Sequence, residues 1–140
     1  MKVLIINGAN LNLLGKREPA IYGTKGFDDY LRDLKNKYGA KGHQIDYYHS
    51  NHCGELIDKI QEADGNYDGI VLNPGGYSHS SIALGDAVKS VTVPVVEVHV
   101  SNIFARESFR HHSYVSAGAR AVISGAGIAG YQLALEVFIQ

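Results

Sequence analysis

Short apolar runs alternate along the chain with longer segments in which apolar residues recur every three or four positions. The first run, residues 2–7 (KVLIIN), is almost entirely apolar, which is typical of a strand buried on both faces of a sheet. Four later runs also predict strands, and the run at 43–49 alternates like a more exposed strand. The other three cover residues 68–73, 94–100 and 120–124.

Helical spacing of apolar residues occupies the segments between these runs. Thr24 is the predicted N-cap of the first helix, and Gly39 is its predicted stop. The apolar stripes predict further helices around 56–63, over 82–91 and over 128–139. The predicted inward positions are Phe27, Tyr30, Leu31, Leu34 and Tyr38 in the first helix, Leu56, Ile57, Ile60 and Ala63 in the second, and Leu84, Ala87 and Val88 in the third.

Regular alternation of strands and helices predicts an α/β fold, with a parallel sheet covered by helices on both faces. We expect one domain over residues 1–140, a flavodoxin-like three-layer sandwich whose five-stranded parallel sheet has the order 2-1-3-4-5. Ligands of such sheets bind at the carboxyl ends of the strands, near the point where the strand order reverses. The loops after strands 1, 3 and 4 are therefore the expected site.

Composition narrows the class of protein. The 140 residues are 45% hydrophobic and 19% charged with a formal net charge of −1, which is typical of a globular protein and argues against nucleic acid as the main partner. No apolar run approaches the roughly 20 residues that cross a bilayer, and MKVLIINGAN is too soon interrupted for a secretory signal. Because Cys53 is its one cysteine, we expect the chain to work in the reducing cytoplasm.

The predicted strand ends carry residues suited to acid–base chemistry. Glu97, His99 and Ser101 point to one side of the fourth strand, because side chains on a strand alternate. A carboxylate beside an imidazole is typical of a histidine held in one tautomer for proton donation; a satisfied core ion pair is the structural alternative. Arg17 and Tyr22 lie in the long loop after strand 1, where an arginine could lower the pKa of a tyrosine base or could simply be solvated.

Other polar motifs near the strand ends have both functional and structural interpretations. Asn73 opens an Asn-Pro-Gly-Gly segment, which suits a tight turn or a set of backbone amides that meets an anion. Ser78 and His79 could contact a ligand or cap the next helix. Arg106 and Arg110, one helical turn apart, could bind a carboxylate or face solvent.

The sequence also contains partial nucleotide-binding and metal-binding motifs. Residues 125–130 (GAGIAG) match a dinucleotide fingerprint, but they follow the last predicted strand, so we interpret these glycines as helix entry and close packing. His49, His52 and Cys53 would form a metal site only with a fourth ligand. We therefore predict no metal.

Four long blocks, in order along the chain, resemble type II 3-dehydroquinate dehydratase nearly end to end: INGANLNLLGKREPAIYG, LNPGGYSHSSIALGDA, VPVVEVHVSNIFARESFRHHSY and GAGIAGY. The resemblance implies dehydration of 3-dehydroquinate to 3-dehydroshikimate by anti elimination through an enolate, in the shikimate pathway of aromatic amino acid and chorismate biosynthesis. It also implies catalysis without metal, Schiff base or cofactor, and a homododecamer assembled from trimers. A catabolic quinate pathway uses the same reaction and remains open.

The resemblance also implies a role for each site residue. Tyr22 would remove the proton next to the ketone, Arg17 would stabilise its anion, and Asn10 would hold the water that stabilises the enolate. His99, oriented by Glu97, would protonate the departing hydroxyl. The remaining roles concern substrate binding: Asn73, Ser101 and the backbone of Val100 for the carboxylate, His79 and Arg110 for ring hydroxyls, and Asp86 for the site of a neighbouring subunit.

The chain departs from the family pattern at Ala9, where proline is usual, and at His49 and Cys53. We expect these changes to affect affinity and packing and not the reaction. Gly85, beside Asp86, lowers helix propensity by roughly 1 kcal/mol relative to alanine, and we explain it by the close approach of another chain. The alternative classes are an FMN-binding flavodoxin, a metal-dependent hydrolase and a receiver-type regulatory domain.

Overall fold

The computed structural model describes residues 1–14 and 26–140, and its centre is a five-stranded sheet. The strands are β1 (Lys2–Asn7), β2 (Gln44–His49), β3 (Gly69–Asn73), β4 (Val95–His99) and β5 (Ala121–Ser124). All neighbouring pairs are parallel and the order is β2-β1-β3-β4-β5, which confirms the predicted fold class and strand order. Each strand begins and ends within one residue of its predicted bounds.

Helices cover both faces of this sheet. The described residues form four α-helices: α1 (Phe27–Gly39), α2 (Cys53–Ala63), α3 (Ile82–Ser90) and α4 (Gly130–Phe138). The helices α1 and α4 pack against one face together with Val3 and Ile5 of β1. The helices α2 and α3 pack against the other face with Leu4 and Ile6. Because successive side chains of a strand point to opposite faces, the continuous apolar run of β1 supplies both cores.

The predicted N-cap of α1 is wrong, and of the two alternatives for Ser78 and His79 the structure excludes the helix cap. The N-cap of α1 is Gly26, whereas the predicted cap, Thr24, lies outside the described residues. At the start of α3 the cap is Ser81, whose hydroxyl accepts a hydrogen bond from the backbone N–H of Leu84 at 3.0 Å. Ser78 and His79 lie in a preceding 3-10 turn and do not cap that helix. The helix α4 begins at Gly130, two residues later than predicted, because residues 127–129 form a 3-10 turn first.

The carboxyl ends of the central strands lie side by side. Asn7 at the end of β1 is directly opposite Asn73 at the end of β3, and His99 at the end of β4 is opposite Ser124. The register therefore gathers polar side chains at one edge of an otherwise apolar sheet. In the part of the chain that the structure describes, no helix combines the length and apolar character needed to cross a membrane.

Candidate active site

A cleft of about 230 Å³ opens at the carboxyl edge of the sheet. Three loops form its walls: the segments after β1, after β3 and after β4. Leu11, Leu14 and Ile103 supply an apolar part of its lining. The position is the one expected for a doubly wound sheet, where strand order reverses between β1 and β3.

Close contact between the first two loops shapes this cleft. A Cβ on Gly8 would lie 2.3 Å from the carbonyl oxygen of Pro74, and a Cβ on Gly75 would lie 2.6 Å from that of Ala9. Both glycines are therefore needed for the loops to meet. Asn10 adopts a left-handed conformation with φ of 69°, and it is the one non-glycine residue with positive φ among those described. Its backbone N–H is held by the side chain of Asn51 at 2.8 Å.

Most of the predicted site residues meet in this cleft. Glu97 lies directly behind its wall, and Asp86 is not among the described residues that line it. Arg17 and Tyr22 lie outside the residues that the structure describes, so their roles stay predictions. The predicted residues that line the cleft are Asn10, Asn73, His79, His99, Val100, Ser101 and Arg110.

The centre of the site is a buried pair formed by His99 and Glu97. His99 Nε2 contacts Glu97 Oε2, and Glu97 is fully buried. Burial alone would raise the pKa of Glu97, but the hydrogen bond and charge of His99 and the hydroxyls of Ser116 and Ser113 outweigh it and hold the pKa below its usual value. The carboxylate therefore stays ionised. Since a carboxylate accepts, Nε2 of His99 carries a proton, and Nδ1 is the ring nitrogen left for chemistry.

His79 is a second imidazole in the cleft, and its ring stacks on that of His99 with centroids 5.8 Å apart. Its Nδ1 lies 2.8 Å from the carbonyl oxygen of His112, so Nδ1 donates and the other ring nitrogen, Nε2, is left. Burial, with the charges of His99 and Arg110, lowers the pKa of His79. His79 is thus neutral at pH 7 and its Nε2 can accept a hydrogen bond, for example from a hydroxyl.

Two arginines supply positive charge on the side of the cleft formed by the loop after β4. Arg110 donates from Nε to Glu107 at 2.9 Å, and Arg106 donates to the hydroxyl of Ser101 at 3.3 Å. The hydrogen bond from Arg110 lowers the pKa of Glu107, which keeps this bridging carboxylate ionised. Arg106 and Arg110 both line the cleft, so the functional interpretation of this pair is favoured over a solvated face.

Asn73 forms part of the cleft wall where the loops after β1 and β3 meet. Its side-chain oxygen accepts from the backbone N–H of Gly75 at 3.2 Å, and its Nδ2 donates to Tyr131 at 2.9 Å. Gly75 has a positive φ of 64°, a conformation that glycine adopts without strain, which agrees with the tight-turn interpretation. Of the two interpretations of this turn, that of amides free for an anion does not hold for Gly75, whose N–H is already bonded to Asn73.

The explanation of Gly85 by the approach of another chain is also wrong. A Cβ on Gly85 would lie 2.4 Å from the carbonyl oxygen of Tyr114, so the glycine admits a loop of its own chain against α3. Asp86, the next residue, is exposed. Its proposed role in a neighbouring site therefore has to rest on its exposure and on the resemblance.

The described part of the chain was expected to hold neither a metal site nor a nucleotide site, and its side chains bear on both alternatives. Over residues 1–14 and 26–140, no three side chains of His, Cys, Asp or Glu cluster in a way that could hold a metal ion. The GAGIAG segment enters α4 as predicted, and a Cβ on Gly130 would lie 3.2 Å from Val98 of β4. Gly130 thus serves close packing of helix on sheet, as interpreted from the sequence, whereas a Cβ on Gly125 would meet Asn102 of a loop and one on Gly127 would meet nothing within 4 Å.

Sequence reasoning missed several residues that support the site. Ser113 and Ser116 donate to Glu97 at 2.9 and 2.7 Å, and no periodicity in their loop indicates this. Asn7 and Tyr131 form a hydrogen bond of 2.7 Å beneath Asn73. The position of Tyr131 immediately after the glycine-rich segment was the one available signal.

A flavodoxin-like sheet with a buried imidazole–carboxylate pair and two arginines in its cleft defines a small α/β enzyme equipped for acid–base chemistry on an anionic substrate. The family model described as dehydroquinase class II matches residues 1–139. The chain belongs to that family.

Known relatives agree with this assignment. The chain is 51% identical over 136 residues to the 3-dehydroquinate dehydratase of Corynebacterium glutamicum, covering 97% of this chain and 94% of that protein. It is 50% identical over 134 residues to a catabolic 3-dehydroquinase of Aspergillus oryzae, covering 96% and 88%. The crystal structure of a type II dehydroquinase from Butyrivibrio crossotus superposes with a TM-score of 0.93 at 46% identity, covering 100% of this chain and 98% of that one.

Proposed function

We propose that this chain dehydrates 3-dehydroquinate to 3-dehydroshikimate in the cleft, as a step of the shikimate pathway. The buried His99–Glu97 pair at the cleft wall, in a chain of the class II dehydroquinase family, is the observation that carries the proposal. Relatives include both a 3-dehydroquinate dehydratase and a catabolic 3-dehydroquinase, and the chemical step is the same in either role.

The reaction removes a proton and a hydroxyl from neighbouring carbons of the substrate ring. In our proposal Tyr22, whose anion Arg17 stabilises, takes the proton from the carbon next to the ketone, and the electron pair moves onto the ketone oxygen as an enolate. Asn10 holds a water that stabilises the enolate oxygen. When the enolate collapses, the carbon–oxygen bond of the departing hydroxyl breaks, and His99 supplies the proton that releases it as water.

The remaining cleft residues bind the substrate. The carboxylate contacts the side chains of Asn73 and Ser101 and the backbone of Val100, close to the positive charge of the arginine pair. A neutral His79 with a free Nε2 accepts from one ring hydroxyl, and Arg110 holds another. In this division Arg106, which donates to Ser101, lies near the anionic end of the ligand, and Arg110 and His79 lie at its hydroxyls.

Turnover of dehydroquinate by the purified protein tests the reaction directly. The product is a conjugated enone, so its formation is followed by ultraviolet absorbance. We expect His99→Gln to abolish most of the turnover while leaving substrate binding measurable, because glutamine keeps a hydrogen-bonding side chain but cannot donate as an acid. A pure protein that folds and produces no enone from dehydroquinate would end the proposal.

We further propose that the working form is a homododecamer built from trimers, in which Asp86 reaches Arg110 of a neighbouring chain. Asp86 is exposed on α3, and Ile82, one turn earlier, is 61% exposed, so this face of the helix is open to a second copy. Light scattering gives the mass of the assembly. An active, strictly monomeric protein would refute this part.

A mixing experiment tests whether Asp86 acts in a neighbouring site. Chains with Asp86→Ala retain Tyr22, and chains with Tyr22→Phe retain Asp86. If Asp86 completes a neighbour's site, mixed oligomers formed after dissociation and reassembly contain some intact sites and regain activity. If Asp86 acts within its own chain, mixing restores nothing.

A cytoplasmic location is the last part of the proposal. It is supported by the free thiol of Cys53, the chain's one cysteine, which is half-buried beside Ser81. Cell fractionation followed by the enone assay locates the enzyme. Activity found mainly in a secreted or membrane fraction would contradict the expectation.

A further inference from the structure

A chain of hydrogen-bonded side chains runs beneath the cleft, inside the core between the sheet and α4. Asn73 donates from Nδ2 to the hydroxyl of Tyr131 at 2.9 Å, and that hydroxyl donates to Oδ1 of Asn7 at 2.7 Å. Tyr131 and Asn7 are 0% exposed, and Asn73 is 3% exposed. Of the three, Asn73 lines the cleft. Buried polar groups of this kind are costly unless each is paired, so the arrangement needs an explanation.

The backbone of Gly75 fixes the direction of every bond in this chain. An N–H can only donate, so the atom of Asn73 that lies 3.2 Å from Gly75 N is the oxygen. The amide nitrogen of Asn73 must then face Tyr131, whose hydroxyl accepts from it. The one proton of the Tyr131 hydroxyl is left for Oδ1 of Asn7. Because burial raises the pKa of Tyr131, the hydroxyl remains protonated and can fill both roles.

This orientation gives Asn73 a defined polarity toward the cleft. Its oxygen and one N–H are occupied by Gly75 and Tyr131, which leaves its second N–H as the group available to a ligand. An N–H is the partner that an anionic oxygen requires. If the side-chain amide of Asn73 were rotated by 180°, its oxygen and nitrogen would exchange places. Asn73 could then present an oxygen to the substrate carboxylate, and its NH₂ group would face the N–H of Gly75, donor against donor.

The glycine-rich segment before Tyr131 explains how the hydroxyl reaches this position. Gly130 packs α4 onto β4, since a Cβ there would lie 3.2 Å from the side chain of Val98. Tyr131 follows in the first turn of α4, and its ring packs against that of Phe27 at 5.0 Å. The segment that resembles a nucleotide motif thus brings a hydroxyl under the cleft.

We infer that Tyr131 is a positioning residue for substrate recognition: its hydroxyl, backed by Asn7, holds the amide of Asn73 with an N–H toward the carboxylate of the substrate. The inference rests on the proposed function for the identity of that carboxylate. A purely structural role for Tyr131 as a core aromatic residue is the alternative, and it makes different predictions.

The variant Tyr131→Phe keeps the ring and removes the hydroxyl. Because the substrate carboxylate does not react, its contact with Asn73 is the same in the ground state and the transition state, so KM should change and kcat should not. We expect KM for dehydroquinate to rise on the order of tenfold, the scale of a weakened hydrogen bond to a charged group, with kcat within about threefold of wild type. Tyr38→Phe is the matched control, because Tyr38 is also 0% exposed but its hydroxyl bonds to Glu136, away from the cleft.

A double-mutant cycle with Asn73→Ala separates positioning from core packing. If Tyr131 acts through Asn73, Tyr131→Phe adds nothing to KM once Asn73 has been truncated. Equal effects of Tyr131→Phe with and without Asn73 would overturn the inference, and so would an unchanged KM in Tyr131→Phe alone. An unchanged KM in Asn73→Ala would instead count against the proposed carboxylate site.

Nuclear magnetic resonance provides a readout that does not depend on turnover. The side-chain amide protons of Asn73 should exchange slowly with solvent in the wild type and in Tyr38→Phe, and faster in Tyr131→Phe. Unchanged protection in Tyr131→Phe would refute the positioning role. If the wild type failed to turn over dehydroquinate, the proposed function would fail, while this measurement would still decide whether Tyr131 holds Asn73.

Discussion

Ser116 and Ser113 offer a test of how the protein keeps a carboxylate charged in its core. Ser116 donates to Oε1 of Glu97 at 2.7 Å, whereas Ser113 donates to Oε2 at 2.9 Å, the oxygen that also contacts His99. Among the described residues Ser116 is the hydrogen-bond donor to Oε1. The variant Ser116→Ala therefore leaves one carboxylate oxygen without a donor, while Ser113→Ala leaves Oε2 still paired with His99.

The size of the effect follows from the charge and burial of Glu97. Hydrogen bonds to charged groups contribute about 1.5–3 kcal/mol, so Ser116→Ala should lower the free energy of unfolding at pH 7 by an amount in that range. Ser113→Ala should have the smaller effect on Glu97. Neither serine touches the proposed reacting groups, so changes in turnover would arise through Glu97 and His99.

The pH dependence of stability carries the sharper prediction. The pKa of Glu97 is lower in the folded protein than its usual value, so its ionised form stabilises the fold above that usual value, and this stabilisation is lost as the pH falls through the folded pKa. Removing the Ser116 hydroxyl raises the pKa of Glu97, so in the variant the loss begins at a higher pH. Once Glu97 is protonated in both proteins, their stabilities should converge.

Urea unfolding from pH 7 down to about pH 2, a range that extends well below the usual pKa of a glutamate, measures this difference, and the acidic limb of kcat against pH should shift in the same direction. Ser90→Ala is the control, because Ser90 donates to the neutral carbonyl oxygen of Ala87 at 2.9 Å and its cost should not vary with pH. If Ser116→Ala destabilised the protein equally at both ends of this range, the hydroxyl would not be supporting a charge, and the reasoning would be refuted.

Three further predictions concern the base, the independence from cofactors, and the packing of α3. Tyr22→Phe should lower kcat by about 10²–10⁴-fold with little loss of stability, and a variant that kept more than about a tenth of wild-type kcat would disprove Tyr22 as the base. Turnover should survive EDTA, exhaustive dialysis, and borohydride added with substrate; inactivation by any of these would contradict the metal-free, imine-free mechanism. Gly85→Ala should cost about 1–3 kcal/mol in thermal unfolding, because its Cβ would meet the carbonyl of Tyr114 at 2.4 Å, whereas Gly54→Ala in α2 meets nothing and should not destabilise.

The fold was predictable because buried parallel strands leave a strong signal. A strand covered on both faces has to be apolar at every position, so the bounds of β1 and β3 are visible as the bounds of apolar runs. The order of the strands then follows from the regular alternation with helices. Helix starts were less predictable, since the residue before α1 is Gly26 and any of several nearby polar residues could have been the cap.

The position of the cleft and the His99–Glu97 pair were predictable for a similar reason. Polar residues with a period of two at the end of an apolar strand have to share one face and one edge of the sheet. The individual roles came from the resemblance to a family, because spacing alone left the structural alternatives open. Ser113 and Ser116 could not be found in this way, because the loop that carries them consists of short 3-10 turns without a repeating pattern.

The sequence does not reveal which backbone packs against Gly85, and this contact affects the loop that lines the cleft. A glycine inside a helix indicates close approach, but the sequence does not say which chain approaches, and here the partner is the backbone at Tyr114 of the same chain. That backbone is also held by Ser78, whose carbonyl oxygen accepts from Tyr114 N at 2.8 Å. Two residues before Tyr114 in the sequence, the backbone carbonyl of His112 accepts a hydrogen bond from Nδ1 of His79 and so fixes the tautomer of that ring.

The loop after β4 is therefore fixed at several points that do not involve the substrate. Ser113 and Ser116 of this loop donate hydrogen bonds to Glu97, and the carbonyl of Tyr114 packs against Gly85 of α3. The same loop carries Arg106 and Arg110 into the cleft. Affinity for an anionic ligand depends on how much of the binding geometry exists beforehand, because ordering side chains on binding costs free energy. Gly85 lowers helix propensity in α3, but it admits the carbonyl of Tyr114 and so lets the arginine-bearing loop pack against that helix.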